Sequence, residues 1–167
     1  MKALLPLLLL SAAFGIDNFT EEFHKTYPLA AGGRISLHNL NGGVRIHGWD
    51  RGDVKVDAIK RASTKRRLDE ASIMIDSSAD SISIRTRYPN EGDGEGPAQV
   101  EYTIYVPRAS RLSAIELVNG ALEINGVTGE IKASSINGEV TARGLIESAR
   151  LSTVNGRLAA AYDRLSS

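Results

Sequence analysis

The feature that most restricts the fold of this chain is a repeat. Val118-Asn119-Gly120, Ile136-Asn137-Gly138 and Val154-Asn155-Gly156 follow one another at 18-residue intervals, with Leu122, Val140 and Leu158 two residues after each glycine. Gly126 and Gly144 stand six residues after the first two of these glycines. An earlier copy, Leu40-Asn41-Gly42-Gly43-Val44-Arg45-Ile46-His47-Gly48, has the spacing of Val118 to Gly126 but lies far upstream. A unit this short cannot bury its own apolar face, so it folds only by stacking on a neighbour.

Two architectures accept such a unit. In an antiparallel meander or sandwich each Asn-Gly is a hairpin turn, whose two central residues both take positive φ. In a β-solenoid, a β-helix-like stack of two-strand coils, each Asn-Gly is a corner set on the corner below it. An apolar residue before every Asn favours the solenoid, because in-register corners let the Asn amides form a ladder. On either reading Asn41, Gly42, Asn119, Gly120, Asn137, Gly138, Asn155 and Gly156 are structural corner residues selected for positive φ. Their alternative use is a row of amides that meets sugar hydroxyls.

Upstream of the repeat the chain alternates with period two: Ile35/Leu37, Val44/Ile46, Val54/Val56, Ile73/Ile75, Ile82/Ile84, then Val100, Tyr102, Ile104 and Val106. That is the pattern of strands with one buried face and one wet one. Residues 63–71 (STKRRLDEA) form the one helical stretch, capped by Ser63 or Thr64. Residues 33–106 thus read as irregular strands and 107–167 as regular repeats of one all-β domain spanning 16–167. Pro107 sits at the change, since proline cannot donate to a central ladder.

Residues 1–15 have the order of a secretory signal peptide: Lys2, an apolar run from Ala3 to Leu10, then Ser11, Ala12, Ala13, Phe14 and Gly15. The run is far short of the roughly 20 residues that span a bilayer, so the mature chain is expected to be exported to the periplasm, cell surface or medium without a transmembrane segment. Loss of Lys2 turns a balance of 20 basic and 20 acidic residues into 19 and 20. A near-neutral chain has no global field for nucleic acid. With no cysteine, thiol chemistry and cysteine metal sites are excluded, and a mature chain of this size has core enough to fold without staples.

The strings Tyr102 to Arg108 (YTIYVPR) and Leu112 to Gly126 (LSAIELVNGALEING), followed by the GEI, NGEV and NGRL steps, resemble the bacterial exported putative-adhesin family, a domain of unknown function built from β-strand repeats. The resemblance runs from Gly33 to the C-terminus. It implies a β-helix-like stack in the envelope or on the cell surface and brings no catalytic residue with it.

Other candidate chemistry is sparse. Asn90, Glu91, Asp93 and Glu95 gather oxygens that suit calcium but match no calcium-loop pattern, and a solvated loop is the expectation. His38 and His47 would meet across a hairpin centred on Asn41-Gly42, yet they lack a third ligand at metal spacing. Lys60, Arg61, Lys65, Arg66 and Arg67 form the one basic run, able to touch acidic glycans or headgroups but expected as a solvated face. Glu116, Glu123, Glu130, Glu139, Glu147 and Asp163 fall at different repeat positions, and no nucleophile elbow, HExxH or phosphate loop occurs.

The expected protein is therefore a non-enzymatic envelope or surface module without cofactor or metal, presenting a sheet to a surface polymer or protein. The competing readings are a glycan-acting β-helix enzyme and a periplasmic scaffold or sensory protein that binds a partner. Leu158 to Ser167 offers no covering element for the last coil, so self-association through the C-terminal coil, or continuation in a longer parent, is expected.

Overall fold

The computed structural model describes residues 18–88 and 96–163. The segment 1–15 and the acidic residues of the 90–96 loop lie outside them. Thirteen strands and one short helix follow in order: β1 (Phe19–Pro28), β2 (Arg34–Asn41), β3 (Val44–Trp49), β4 (Asp53–Ala62), α1 (Lys65–Glu70), β5 (Ser72–Ser77), β6 (Ser81–Arg87), β7 (Gln99–Pro107), β8 (Arg111–Asn119), β9 (Leu122–Asn125), β10 (Ile131–Asn137), β11 (Val140–Leu145), β12 (Ala149–Asn155) and β13 (Leu158–Tyr162). They form two open mixed sheets, one of seven strands ordered β1-β4-β7-β3-β9-β11-β13 and one of six ordered β12-β10-β8-β2-β6-β5.

The strands flanking each Asn-Gly belong to different sheets and are not paired with each other. The meander reading therefore does not hold for the repeats. Each unit instead gives one strand to each sheet and pairs in parallel with the next, so that Asn119 is level with Asn137 and Asn137 with Asn155. The early copy joins this series directly. Asn41 pairs with Asn119, and Val44 and Ile46 pair with Leu122 and Ile124. Strands β4 to β7 leave the series and return on its far side, where β6 lies beside β2 and β7 beside β3. Antiparallel pairing is confined to that side, at β1/β4, β4/β7 and β5/β6.

Alternation explains the core. Ile35, Leu37, Val44, Ile46, Val54, Val56, Ile82, Ile84, Val100, Tyr102, Ile104 and Val106 are all buried, as are Ile115, Leu117, Leu122, Ile124, Ile131 and Val140 of the repeats. Two residues of the same phase depart from the expectation of a common interior. Leu151 is half-buried and Leu158 is 43% exposed, because β12 and β13 are edge strands with no described strand beyond them. Helix α1 begins at Thr64, whose Oγ1 accepts from the Arg67 N–H at 3.3 Å. Strand β1 carries no alternating apolar signal, and all its residues except Phe23 and Tyr27 are exposed. It is held by its in-register pairing with β4.

The corners differ from the expected conformation. Among the described residues no non-glycine residue has positive φ, and of the four Asn-Gly glycines only Gly42 does, at 125°. Gly120, Gly138 and Gly156 are needed for closeness instead. A Cβ on any of them would fall well inside 3.0 Å of the carbonyl oxygen of Gly42, Gly120 or Gly138 respectively. The backbones approach there at a distance that only a hydrogen side chain allows.

Candidate functional site

The corner asparagines form the expected ladder. Asn137 Nδ2 donates to Asn119 Oδ1 at 2.8 Å, and Asn155 Nδ2 donates to Asn137 Oδ1 at 2.8 Å. A second ladder runs two residues earlier, where Ser135 Oγ donates to the Gly120 carbonyl at 3.0 Å and Thr153 Oγ1 to that of Gly138 at 2.9 Å. The equivalent Asn39 is fully buried and donates to the carbonyls of Val100 at 2.8 Å and Gly42 at 3.1 Å. Tyr88 completes this corner by donating its hydroxyl to Asn39 Oδ1 and to the Asn41 carbonyl, both at 3.1 Å. Burial pushes the Tyr88 hydroxyl up, and it pushes Tyr102, bonded to Thr86 Oγ1 at 2.6 Å, up to about 12. Both phenols therefore stay neutral. Asn119, Asn137 and Asn155 are thus bonded to one another along an exposed ladder, while Asn39 and Tyr88 are held inside the first corner.

The basic run disperses. Lys60 lies on the inward face of β4, 6% exposed, with its ammonium donating to the carbonyls of Leu68 at 3.1 Å and Ala71 at 2.9 Å and facing Glu21 at 3.0 Å. Arg61 pairs with Glu101 at 3.0 Å, Lys65 with Asp69 at 2.8 Å, Arg66 with Glu70 at 3.9 Å, and Arg67 with Glu70 at 3.4 Å. The histidines are also separated. His38 is on β2 and His47 on β3, in different sheets, because the chain between them turns a corner instead of a hairpin. His47 packs on the Tyr105 ring at 5.4 Å. His24 bonds Asp57 Oδ1 at 2.8 Å and Glu22 at 3.2 Å, and those bonds, Asp57 first, hold its pKa above 6.5.

The outer faces of the two sheets differ in how charge is arranged. On the seven-stranded sheet Arg45 stands in register with Glu123 at 3.8 Å, Lys55 meets Asp57 at 2.9 Å and Arg61 meets Glu101. Arg143 is the one arginine of its strands without a carboxylate within 4.0 Å among the described residues. On the six-stranded sheet the exposed cations are Arg34, Arg85, Arg87, Arg111, Lys132 and Arg150, against Asp76 and Glu116. None of these six has an ion pair among the described residues. Two of the neighbouring pairs are of like charge, since Arg34 is level with Arg111 and Lys132 with Arg150. Like charges directly opposite one another on a sheet are destabilising.

Beside three of these cations, Arg85, Lys132 and Arg150, the face is recessed. A shallow depression of about 470 Å³ is lined by Ser36, His38, Ser83, Arg85, Ala114 and Glu116. A second, of about 210 Å³, continues it past Ala114 and Glu116 to Lys132, Ser134, Arg150 and Ser152. Short side chains make the floor and long cations stand around it. The sequence signal for this face was the 18-residue step from Lys132 to Arg150, hidden because the cations are scattered along the chain instead of forming a run. Glu116 lies in this trough, Glu123 on the other sheet beside Arg45 and Asn125, and Glu139 bonds Thr141 at 3.3 Å. Thr141 is level with Glu123, so Glu139 and Glu123 lie on the side of the seven-stranded sheet, away from Glu116.

The fold is thus that of an all-β protein of two open mixed sheets, with parallel units joined by in-register Asn-Gly corners. No protein-family model and no curated protein matches the chain. Among solved structures it is similar to a putative cell adhesion protein from Clostridium sporogenes, at 9% identity over 86% of this chain and 100% of that one, with a TM-score of 0.48. A putative lipid binding protein from Parabacteroides distasonis aligns at 9% identity over 84% of this chain and 61% of that one, with a TM-score of 0.35. A putative adhesin from Bacteroides fragilis aligns at 9% identity over 86% of this chain and 97% of that one, with a TM-score of 0.32. Among the described residues no helix is long and apolar enough to cross a membrane.

Proposed function

We propose that this chain is an exported, non-enzymatic module of the cell envelope or surface, whose regular half is a β-solenoid and whose six-stranded sheet is its binding face. The observation that carries the reading is the contrast between the two outer faces. On the seven-stranded sheet Arg45, Lys55 and Arg61 each meet a carboxylate while Lys25 and Arg143 do not, and on the other none of the six cations has an ion pair among the described residues, which is how a surface reserved for a partner is built. Glu116 is the one carboxylate lining the trough, which supports a non-catalytic role over the glycan-acting enzyme, because acid and base work on a glycoside needs a carboxyl pair about 5–10 Å apart across a groove. Edge strands β12 and β13 offer unpaired backbone where a second chain can add strands.

The test combines retention on an envelope preparation with an assay for new reducing ends or double bonds in the bound polymer. Retention without turnover is the expected result. Turnover that Glu116→Gln abolishes would establish the enzyme reading in its place.

A further inference from the structure

We infer that the ligand of this face is an acidic polysaccharide, laid across strands β6, β2, β8, β10 and β12 along the trough that Arg85, Lys132 and Arg150 line. The inference rests on the reading of the six-stranded sheet as a binding face and names the chemistry that the face selects. Three observations carry it.

The first is charge. The strands of this sheet expose six lysine and arginine side chains, Arg34, Arg85, Arg87, Arg111, Lys132 and Arg150, and two carboxylates, Asp76 and Glu116. The excess of four positive charges sits in a chain whose overall formal charge is zero. The same protein places Arg45 against Glu123 at the equivalent position of its other sheet, so a matched arrangement is available to this fold. Arg34 beside Arg111 and Lys132 beside Arg150 are instead repulsive in the free protein. An anion lying between such a pair removes the repulsion and adds attraction, so the face gains most from a ligand that carries negative charge at intervals.

The second is shape and extent. The trough crosses five strands, a length of roughly 19 Å at the usual inter-strand spacing, and its floor of Ser36, Ser83, Ala114, Ser134 and Ser152 lies below the cations. An extended polymer fits a channel of that form. The flat plane of a bilayer touches its rims and leaves the floor empty.

The third is the choice of side chains. The floor is rich in hydroxyls, which pair with sugar hydroxyls as donor or acceptor. Strands β2, β5, β6, β8, β10 and β12 hold no phenylalanine, tyrosine or tryptophan. The stacking platforms by which single-stranded nucleic acid is held, and the aromatic anchors that seat a protein in a membrane interface, are therefore missing from this face. A chain of sugars bearing carboxylates or phosphates needs neither.

The experiment uses the mature chain and the variant Lys132→Gln/Arg150→Gln, with Arg143→Gln on the opposite sheet as a control. Probes are polygalacturonate, its fully methyl-esterified neutral form, vesicles of phosphatidylglycerol and phosphatidylcholine, and duplex DNA. The expected result is binding to polygalacturonate that weakens with added salt, with at least a tenfold loss in the double variant and none in the control. The melting temperature of the double variant should be equal or higher, since a repulsion has been removed, and that readout separates lost affinity from lost fold. Equal affinity of variant and parent for polygalacturonate overturns the inference, as does stronger binding to the vesicles or to DNA. Retention on the envelope preparation with indifference to polygalacturonate overturns the inference and leaves the binding module standing, whereas no retention on any envelope polymer overturns both.

Discussion

Leu122 and Leu158 occupy the same phase of the repeat, two residues after the corner glycine, and a sequence-based argument assigns both to one core. In the fold Leu122 is 1% exposed and level with Val44 on one side and Val140 on the other, while Leu158 is 43% exposed and has Val140 alone. Leu122→Ala opens a cavity between two packed strands and should cost about 2–5 kcal/mol. Leu158→Ala removes a side chain that is only partly shielded from water, for about 1 kcal/mol. For a domain of this size those losses correspond to melting shifts of roughly 5–15 °C and a few degrees respectively. Calorimetry of both variants at two protein concentrations, alongside denaturant titrations with unchanged slopes, measures the difference. Equal shifts for the two variants would refute the reasoning, because they would mean that the outermost strand is as well covered as the interior one. A shift at Leu158 that grows with protein concentration would identify a second chain as the cover.

Gly138→Ala should destabilise by about 1–3 kcal/mol through the clash of its Cβ with the Gly120 carbonyl, whereas Gly52→Ala, which meets nothing within 4 Å, should be neutral or slightly stabilising. A pair of urea midpoints decides it. His24 is held above 6.5 by its hydrogen bond to Asp57 and then by that to Glu22. The stabilisation from its charged form is thus fully present below 6.5 and fades as pH rises through the higher folded value. In Asp57→Asn the imidazole midpoint followed by NMR should move down towards 6.5, and an unmoved midpoint would mean that the pair does not form in solution.

Most of the strand pattern was legible because these strands have one wet face, so alternation marks both the element and its buried side. Ile35/Leu37, Val44/Ile46 and Ile82/Ile84 all point inward as their spacing implies. The corner register was equally legible, since Asn119, Asn137 and Asn155 recur at one period and stack in register. Strand β1 was not, because its residues are exposed on an edge and carry no apolar rhythm. The reason for the corner glycines was also misread: glycine marks positive φ and close approach alike, and only coordinates separate the two. The cationic face escaped for a different reason. The one run of charge, Lys60 to Arg67, is folded inward or paired, whereas the unmatched cations are assembled by strand pairing between residues as distant as Arg34 and Arg111.

The placement of the early copy bears on how the chain assembles. Asn119 finds Asn137 across 18 residues, but Asn41 finds Asn119 across 78. By loop-closure entropy the longer contact costs about 1.3 kcal/mol more to form. The units at β8 to β13 can zip together from nearby chain, each adding a ladder to the one before. Strands β2 and β3, made early, have their central partners β8 and β9 only after the whole excursion through β4 to β7 has been made, and until then one backbone edge of each is unpaired. Pairing within the repeats is thus local in the chain, and pairing of the early copy with them is remote.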